Sequence, residues 1–97
     1  MKELNEELKE QAIDKMTEKI AALRTMLNYS QEELAKLIGV GRQTLVSIET
    51  RKRKMTWNTF LSLLFVFSQH RETAALLEYF GIYSNELKHV YQDSNLR

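Results

Sequence analysis

The sequence has no cysteine, no proline and only three glycines. The absence of cysteine excludes disulfides and thiolate metal sites, and it suits a protein of the reducing cytoplasm. Because proline and glycine are the residues that most often break a helix, their scarcity favours a chain that is helical throughout. No stretch alternates apolar and polar residues as a half-buried strand would, so we do not expect a β-sheet.

Long apolar segments are also missing. The longest run, Leu63 to Phe67, is far too short to cross a bilayer. The residues after Met1 are charged rather than apolar, which argues against a secretory signal. We therefore expect a soluble, cytoplasmic protein with no membrane partner.

Charge is distributed unevenly along the chain, although the net charge is only +1. Residues 1–14 hold two lysines against four glutamates and one aspartate, which gives −3. Residues 42–54 hold five arginines or lysines against one glutamate, which gives +4. A local positive field attracts a polyanion such as nucleic acid, whereas a charge run considered alone is more often a solvated loop.

The segment from Ser30 to Lys54 predicts two short helices joined by a tight turn and followed by four consecutive cations. Ser30 is a good N-cap and Glu33 can reach back to its amide, so the first of these helices should begin at Gln31. Gly39 supplies a left-handed residue that can end this helix. The apolar residues recur at helical spacing and should face a core: Leu34, Leu37, Ile38, Leu45 and Ile48. This is the pattern of a helix-turn-helix, whose second helix enters the DNA major groove.

The same segment resembles the Cro and phage-repressor (XRE-like) family, whose usual run is close to SQEELAxxxGVSRQTISxxExGxRxP. The matching residues are Ser30, Gln31, Glu32, Glu33, Leu34, Ala35, Gly39, Val40, Arg42, Gln43, Thr44 and Glu49. The resemblance implies a compact five-helix all-α domain whose first helix usually starts near Thr17. We expect this chain to add an extended N-terminal helix and a short C-terminal tail that could form one further helix. We divide the chain into an N-terminal helical extension (1–16), the helix-turn-helix DNA-binding domain (17–68), and a C-terminal helix and tail (69–97). The last region belongs either to the same domain or to a dimer interface.

Arg42 and Gln43 are suited to reading DNA bases. Arginine can pair with guanine, and glutamine with adenine, through two hydrogen bonds in the major groove. The resemblance assigns base contacts to Arg42, Gln43 and Ser47. Phosphate contacts, which fix register rather than sequence, are expected from Gln31, Thr44, Thr50, Lys52, Arg53 and Lys54. The resemblance also implies a structural ion pair between Arg24 and Glu49, which would tie the first helix to the recognition helix.

Two residues depart from the family pattern after the recognition helix. Arg51 stands where the family has a helix-ending glycine, and Met55 stands where it usually has proline. A residue other than glycine costs about 1 kcal/mol in the left-handed region, so we expect the turn to take another shape here.

Apolar residues are more numerous than a five-helix core needs. The first helix is expected to run from Asn5 to Leu27, and its apolar stripe calls for a partner subunit unless the extension is a frayed or separately packed arm. A second surplus lies towards the C-terminus, and we expect it to form a dimer interface: Phe65, Val66, Leu77, Tyr79, Phe80, Ile82 and Tyr83. The alternative is that the long first helix and the tail cover these residues within one chain.

Catalytic and metal-binding patterns are absent. His70 and His89 have no neighbouring nucleophile, carboxylate pair or metal-ligand spacing, and we expect neither enzymatic activity nor a cofactor nor a metal. The sequence favours a sequence-specific DNA-binding transcriptional regulator, a repressor that binds a palindromic operator in double-stranded DNA as a homodimer. The alternative is an antitoxin-like or accessory module that uses the same fold to bind a protein partner, such as a toxin.

Overall fold

The computed structural model describes residues 6–93, and within that range the chain forms α-helices and no strands. The helices are α1 (Glu6–Met26), α2 (Gln31–Ile38), α3 (Arg42–Glu49), α4 (Trp57–Ser68), α5 (Arg71–Tyr79) and α6 (Asn85–Asp93). The expected all-α fold is confirmed, and α6 is the further helix that the tail was expected to allow. No helix in the described range is long and apolar enough to span a membrane.

The first helix continues through the N-terminal extension without a break. It begins at Glu6 and ends at Met26, close to the predicted bounds, although the predicted first residue Asn5 lies outside the described range. Its buried residues recur three or four positions apart: Ala12, Ile13, Met16, Ile20 and Leu23. Because Ala12, Ile13 and Met16 join the same hydrophobic cluster as the later helices, this part of the extension is packed against the domain.

Four of the described helices end in the same turn. A residue with positive φ follows the helix, and the next amide donates to a carbonyl five residues earlier, which together form a Schellman motif. The residues with positive φ are Asn28 after α1, Gly39 after α2, Arg51 after α3 and Gly81 after α5. The predicted helix ending at Gly39 is thus confirmed, and Asn28 and Gly81 end α1 and α5 in the same way.

Side-chain caps fix where α2 and α4 begin. Ser30 and Glu33 form the predicted capping box at the start of α2, with Ser30 Oγ accepting from the Glu33 amide at 3.0 Å. Thr56 Oγ1 accepts from the Thr59 amide at 3.1 Å, which sets the start of α4. The buried Thr73 hydroxyl donates to the Phe67 carbonyl at 2.6 Å, so the end of α4 is satisfied by the first turns of α5.

The hydrophobic core lies between α1 and the helices that follow it. Helix α1 packs against α3, α4 and α5, and α2 packs against α3 and α4. Trp57 stacks on Phe60, with 4.7 Å between ring centroids. Leu37, which was expected to face this core, lies on the outer face of α2 and is exposed.

The C-terminal part of the chain folds back onto the core. Leu77, Ile82 and Leu87 are buried within the same chain, so the prediction that Leu77 and Ile82 belong to a dimer interface is wrong. The physical reason is the Schellman turn at Gly81, which directs Ile82 back towards the core.

The remaining residues of the predicted interface divide into two groups. Val66, Phe80 and Tyr83 are partly buried against the core, and lysine ammonium groups lie over the Phe80 and Tyr83 rings. Phe65 and Tyr79 are 66% and 82% exposed. Residues of the same chain therefore cover part of the surplus apolar surface, and the rings of Phe65 and Tyr79 remain exposed.

Candidate nucleic-acid interface

Helix α3 presents one face to the protein and one face to solvent. Leu45 and Ile48 are buried against α1 and α2, and Gly39 makes the turn that sets the direction in which α3 leaves α2. Ala35 is buried on the neighbouring helix, and its small side chain allows close packing. The outer face of α3 is therefore held in position by packing behind it.

The outer face carries the residues predicted to read bases. Arg42 and Gln43 are exposed, and Ser47 is partly buried one turn after Gln43. Within the described residues, the side chains of Arg42 and Gln43 form no ion pair or hydrogen bond. Their donors and acceptors are thus free to meet a base edge. Thr44, a predicted phosphate contact, is partly buried.

The end of α3 is tied to the end of α1 by Arg24 and Glu49. The Arg24 Nε donates to Glu49 Oε2 at 2.9 Å, and its Nη2 donates to Oε1 at 3.3 Å, so the guanidinium grips both carboxylate oxygens. The remaining Arg24 nitrogen, Nη1, donates to the Tyr29 carbonyl at 3.0 Å. One side chain thereby joins α1, the turn before α2, and α3.

Gln31 belongs to the same network. Its Nε2 donates to Glu49 Oε1 at 2.9 Å, a contact that the sequence did not suggest. The amide of Glu33 and the backbone of Ser30 are already satisfied by the capping box, so the start of α2 has fewer free donors than expected for an anion. Gln31 would therefore have to contact a phosphate while its side-chain amide donates to Glu49 Oε1.

The turn after α3 keeps the left-handed shape despite the absence of glycine. Arg51 has φ of 64°, so the expectation of a different turn is wrong. The Lys52 and Arg53 amides both donate to the Ser47 carbonyl, at 2.8 and 3.2 Å. These backbone hydrogen bonds, together with the Thr50 hydroxyl donating to the Val46 carbonyl at 2.9 Å, fix the turn and offset the cost of the arginine.

Two of the four cations of this turn form ion pairs with described residues, and the other two do not. Lys52 and Arg53 are exposed, and their side chains form no ion pair within residues 6–93. Arg51 pairs with Asp14 at 3.3 Å, and Lys54 pairs with Glu10, both carboxylates belonging to the N-terminal part of α1. Of the predicted phosphate contacts in the turn, Lys54 is therefore already engaged.

A groove of about 510 Å³ separates the first half of α1 from the turn after α3. Its walls carry the carboxylates of Glu10 and Asp14 on one side and the cations of Arg51, Arg53 and Lys54 on the other. Sequence reasoning missed this arrangement. The spacing of Glu10 and Asp14, four residues apart, indicates that both lie on one helical face, but it does not indicate which element that face meets.

One family model matches the chain. Its description is Helix-turn-helix, and the match covers residues 20–56, from the second half of α1 to the cap of α4. Neither a curated protein nor a solved structure matches the chain. The matched residues include the whole network of Arg24, Gln31 and Glu49, together with the exposed face of α3.

Proposed function

We propose that this protein is a repressor that binds a palindromic operator as a dimer in the cytoplasm. The helix-turn-helix match of residues 20–56 supports this proposal, because it agrees with the resemblance to the Cro/phage-repressor (XRE-like) family of DNA-binding transcriptional regulators. The observation that carries the proposal is the state of Arg42 and Gln43. Both are exposed on a helix that is fixed from behind, and neither is engaged by another described residue.

Recognition would proceed by inserting α3 into the major groove. Arg42 would donate two hydrogen bonds to a guanine, and Gln43 would exchange two with an adenine, while Ser47 would contact a neighbouring base edge. Lys52 and Arg53, which lie just past the helix, would contact the DNA backbone and set the register. A dimer bound in this way would cover a promoter and exclude the polymerase.

Selection of bound fragments from a randomised duplex pool tests the proposal. We expect the protein to enrich a palindrome whose half-sites are roughly 34 Å apart, one turn of DNA. The Arg42→Ala, Gln43→Ala variant, selected at the same salt, should lose that preference because each base contact contributes about 1–3 kcal/mol of discrimination. Arg71→Ala, which removes an exposed cation on α5, should select the same site as the unmodified protein.

Two results would contradict the proposal. If no sequence is enriched and binding is merely weakened by salt, the cations contact only phosphate. If the double variant still selects the same site, base reading lies outside α3. In the first case the exposed Phe65 and Tyr79 would make a protein partner, as in the antitoxin-like alternative, the better function.

A further inference from the structure

We infer that Glu10 and Asp14 compete with DNA phosphates for Lys54 and Arg51, so that the acidic half of α1 lowers the affinity of the protein for DNA and weakens its dependence on salt. This inference rests on the proposed function, because it concerns the strength of DNA binding. It assigns a role to two residues that lie outside the segment matched by the family model.

The first step of the argument is geometric. Glu10 and Asp14 are one turn apart on α1, and they meet Lys54 and Arg51 across the groove. The turn that carries the cations is fixed by the two backbone hydrogen bonds to the Ser47 carbonyl. Because a helix carries the carboxylates and a hydrogen-bonded turn carries the cations, the two sets of side chains remain close to each other.

The second step concerns charge. The four cations of residues 51–54 carry +4, and the two carboxylates reduce this to +2. Both ion pairs are much shorter than the roughly 8–10 Å over which an electrostatic interaction stays effective in salt. A DNA backbone that approaches the end of α3 therefore meets about half of the positive field that the sequence of the turn suggests.

The third step concerns how easily the pairs exchange. The four side chains are between 51% and 76% exposed, so these ion pairs contribute little to the stability of the fold. A phosphate can take the place of each carboxylate without leaving a buried charge unpaired. The two ion pairs should therefore affect the strength of phosphate binding more than the stability of the domain.

The test uses the full chain with Glu10→Gln and Asp14→Asn together. Its matched control is Glu18→Gln with Glu72→Gln, which makes the same change in net charge at two exposed glutamates that form no ion pair within the described residues. Dissociation constants are measured for the selected duplex and for a random duplex at salt concentrations between about 50 and 200 mM. Thermal unfolding of each variant verifies that the fold is retained.

We expect the Glu10→Gln, Asp14→Asn variant to bind DNA about fivefold more tightly than the unmodified protein at the lowest salt. A plot of log affinity against log salt should be steeper by about one to two units, because two more cations are available to phosphate. Each single substitution should give roughly half of the change. The control variant should differ little from the unmodified protein in both affinity and slope.

Three outcomes would overturn the inference. Equal affinity and slope in the two double variants would mean that net charge, rather than the two ion pairs, sets the binding. No change in either variant would mean that Arg51 and Lys54 do not face DNA. Weaker binding by the Glu10→Gln, Asp14→Asn variant would mean that the carboxylates position the turn for DNA. Failure of the proposed function would look different, since the unmodified protein would then show no preference for the selected duplex over the random one.

Discussion

Glu49 is the residue at which the helices α1, α2 and α3 of the helix-turn-helix match meet. Its carboxylate accepts from Arg24 on α1 and from Gln31 on α2 while it sits at the end of α3. The side chains of Arg24 and Glu49 are 17% and 7% exposed. Removing one partner of such a buried pair lowers the free energy of unfolding by more than the pair itself contributes, because the charge of the carboxylate is then left uncompensated.

Replacing Arg24 with alanine should therefore destabilise the fold. We expect a loss of about 2–3 kcal/mol, somewhat less than for a fully buried pair, because Arg24 retains some contact with solvent. In a domain of this size such a loss lowers the melting temperature by roughly 10 °C or more. Thermal unfolding followed by circular dichroism measures it.

Arg42→Ala provides the control for this experiment, because it removes an arginine from the exposed face of the neighbouring helix α3. Its free energy of unfolding should stay within about 0.5 kcal/mol of the unmodified protein. An Arg24→Ala variant that unfolds at the temperature of Arg42→Ala would contradict the structural role of the pair.

At the level of elements, the repeated turn at the ends of α1, α2, α3 and α5 shows where local propensity decides and where it does not. Glycine and asparagine signalled three of these turns. At Arg51 the residue type suggested a different turn, yet the hydrogen bonds to the Ser47 carbonyl maintain the left-handed shape. Residue preference of about 1 kcal/mol is small enough for two backbone hydrogen bonds to outweigh it.

Gly39 offers a clean measurement of this preference, because it combines φ of 77° with open space where a side chain would project. Gly39→Ala should lower the free energy of unfolding by about 1 kcal/mol through backbone strain alone. Gly39→Asn should cost less, since asparagine tolerates the left-handed region. Chemical denaturation of both variants checks the order, and an alanine variant as stable as the asparagine variant would contradict it.

At the level of the whole molecule, the bare rings of Phe65 and Tyr79 are the part of the apolar surplus that remains for a partner subunit. We expect Phe65→Ser with Tyr79→Ser to shift the proposed dimer to monomer without unfolding it, because exposed aromatic rings contribute to association rather than to the core. Sedimentation velocity at matched concentration measures the change.

Leu37 provides the matched control for the dimer, since it is an exposed apolar residue on α2 rather than on α4 or α5. Leu37→Ser should leave the association unchanged. If Leu37→Ser dissociates the dimer and the double variant does not, the interface lies on α2.

The all-α fold and the two helices between Ser30 and Lys54 could be predicted from the sequence, because helix caps, glycines and apolar spacing act over a few residues. The pair of Arg24 and Glu49 required a family resemblance, since the two residues are brought together only by folding. The bond from Gln31 to Glu49 and the pairs of Glu10 and Asp14 with the basic turn could not be predicted. They depend on how α1 and α2 lie against α3 and the turn after it, and residue spacing does not encode those packing angles. Leu77 and Ile82 were assigned to a dimer interface for a similar reason. Their spacing predicts that they are buried, but it does not indicate which part of the protein covers them.

The long α1 also has a consequence for synthesis of the chain. Helix α1 leaves the ribosome before the helices α3, α4 and α5 that cover its apolar stripe. The same cluster includes Ile82 and Leu87, near the other end of the described range. The domain therefore cannot close until nearly all of these residues have been translated. A product of interrupted translation that stops within α4 would contain residues 30–54 with only part of the core behind them. Such a fragment would be a substrate for proteolysis rather than a competitor of the finished protein.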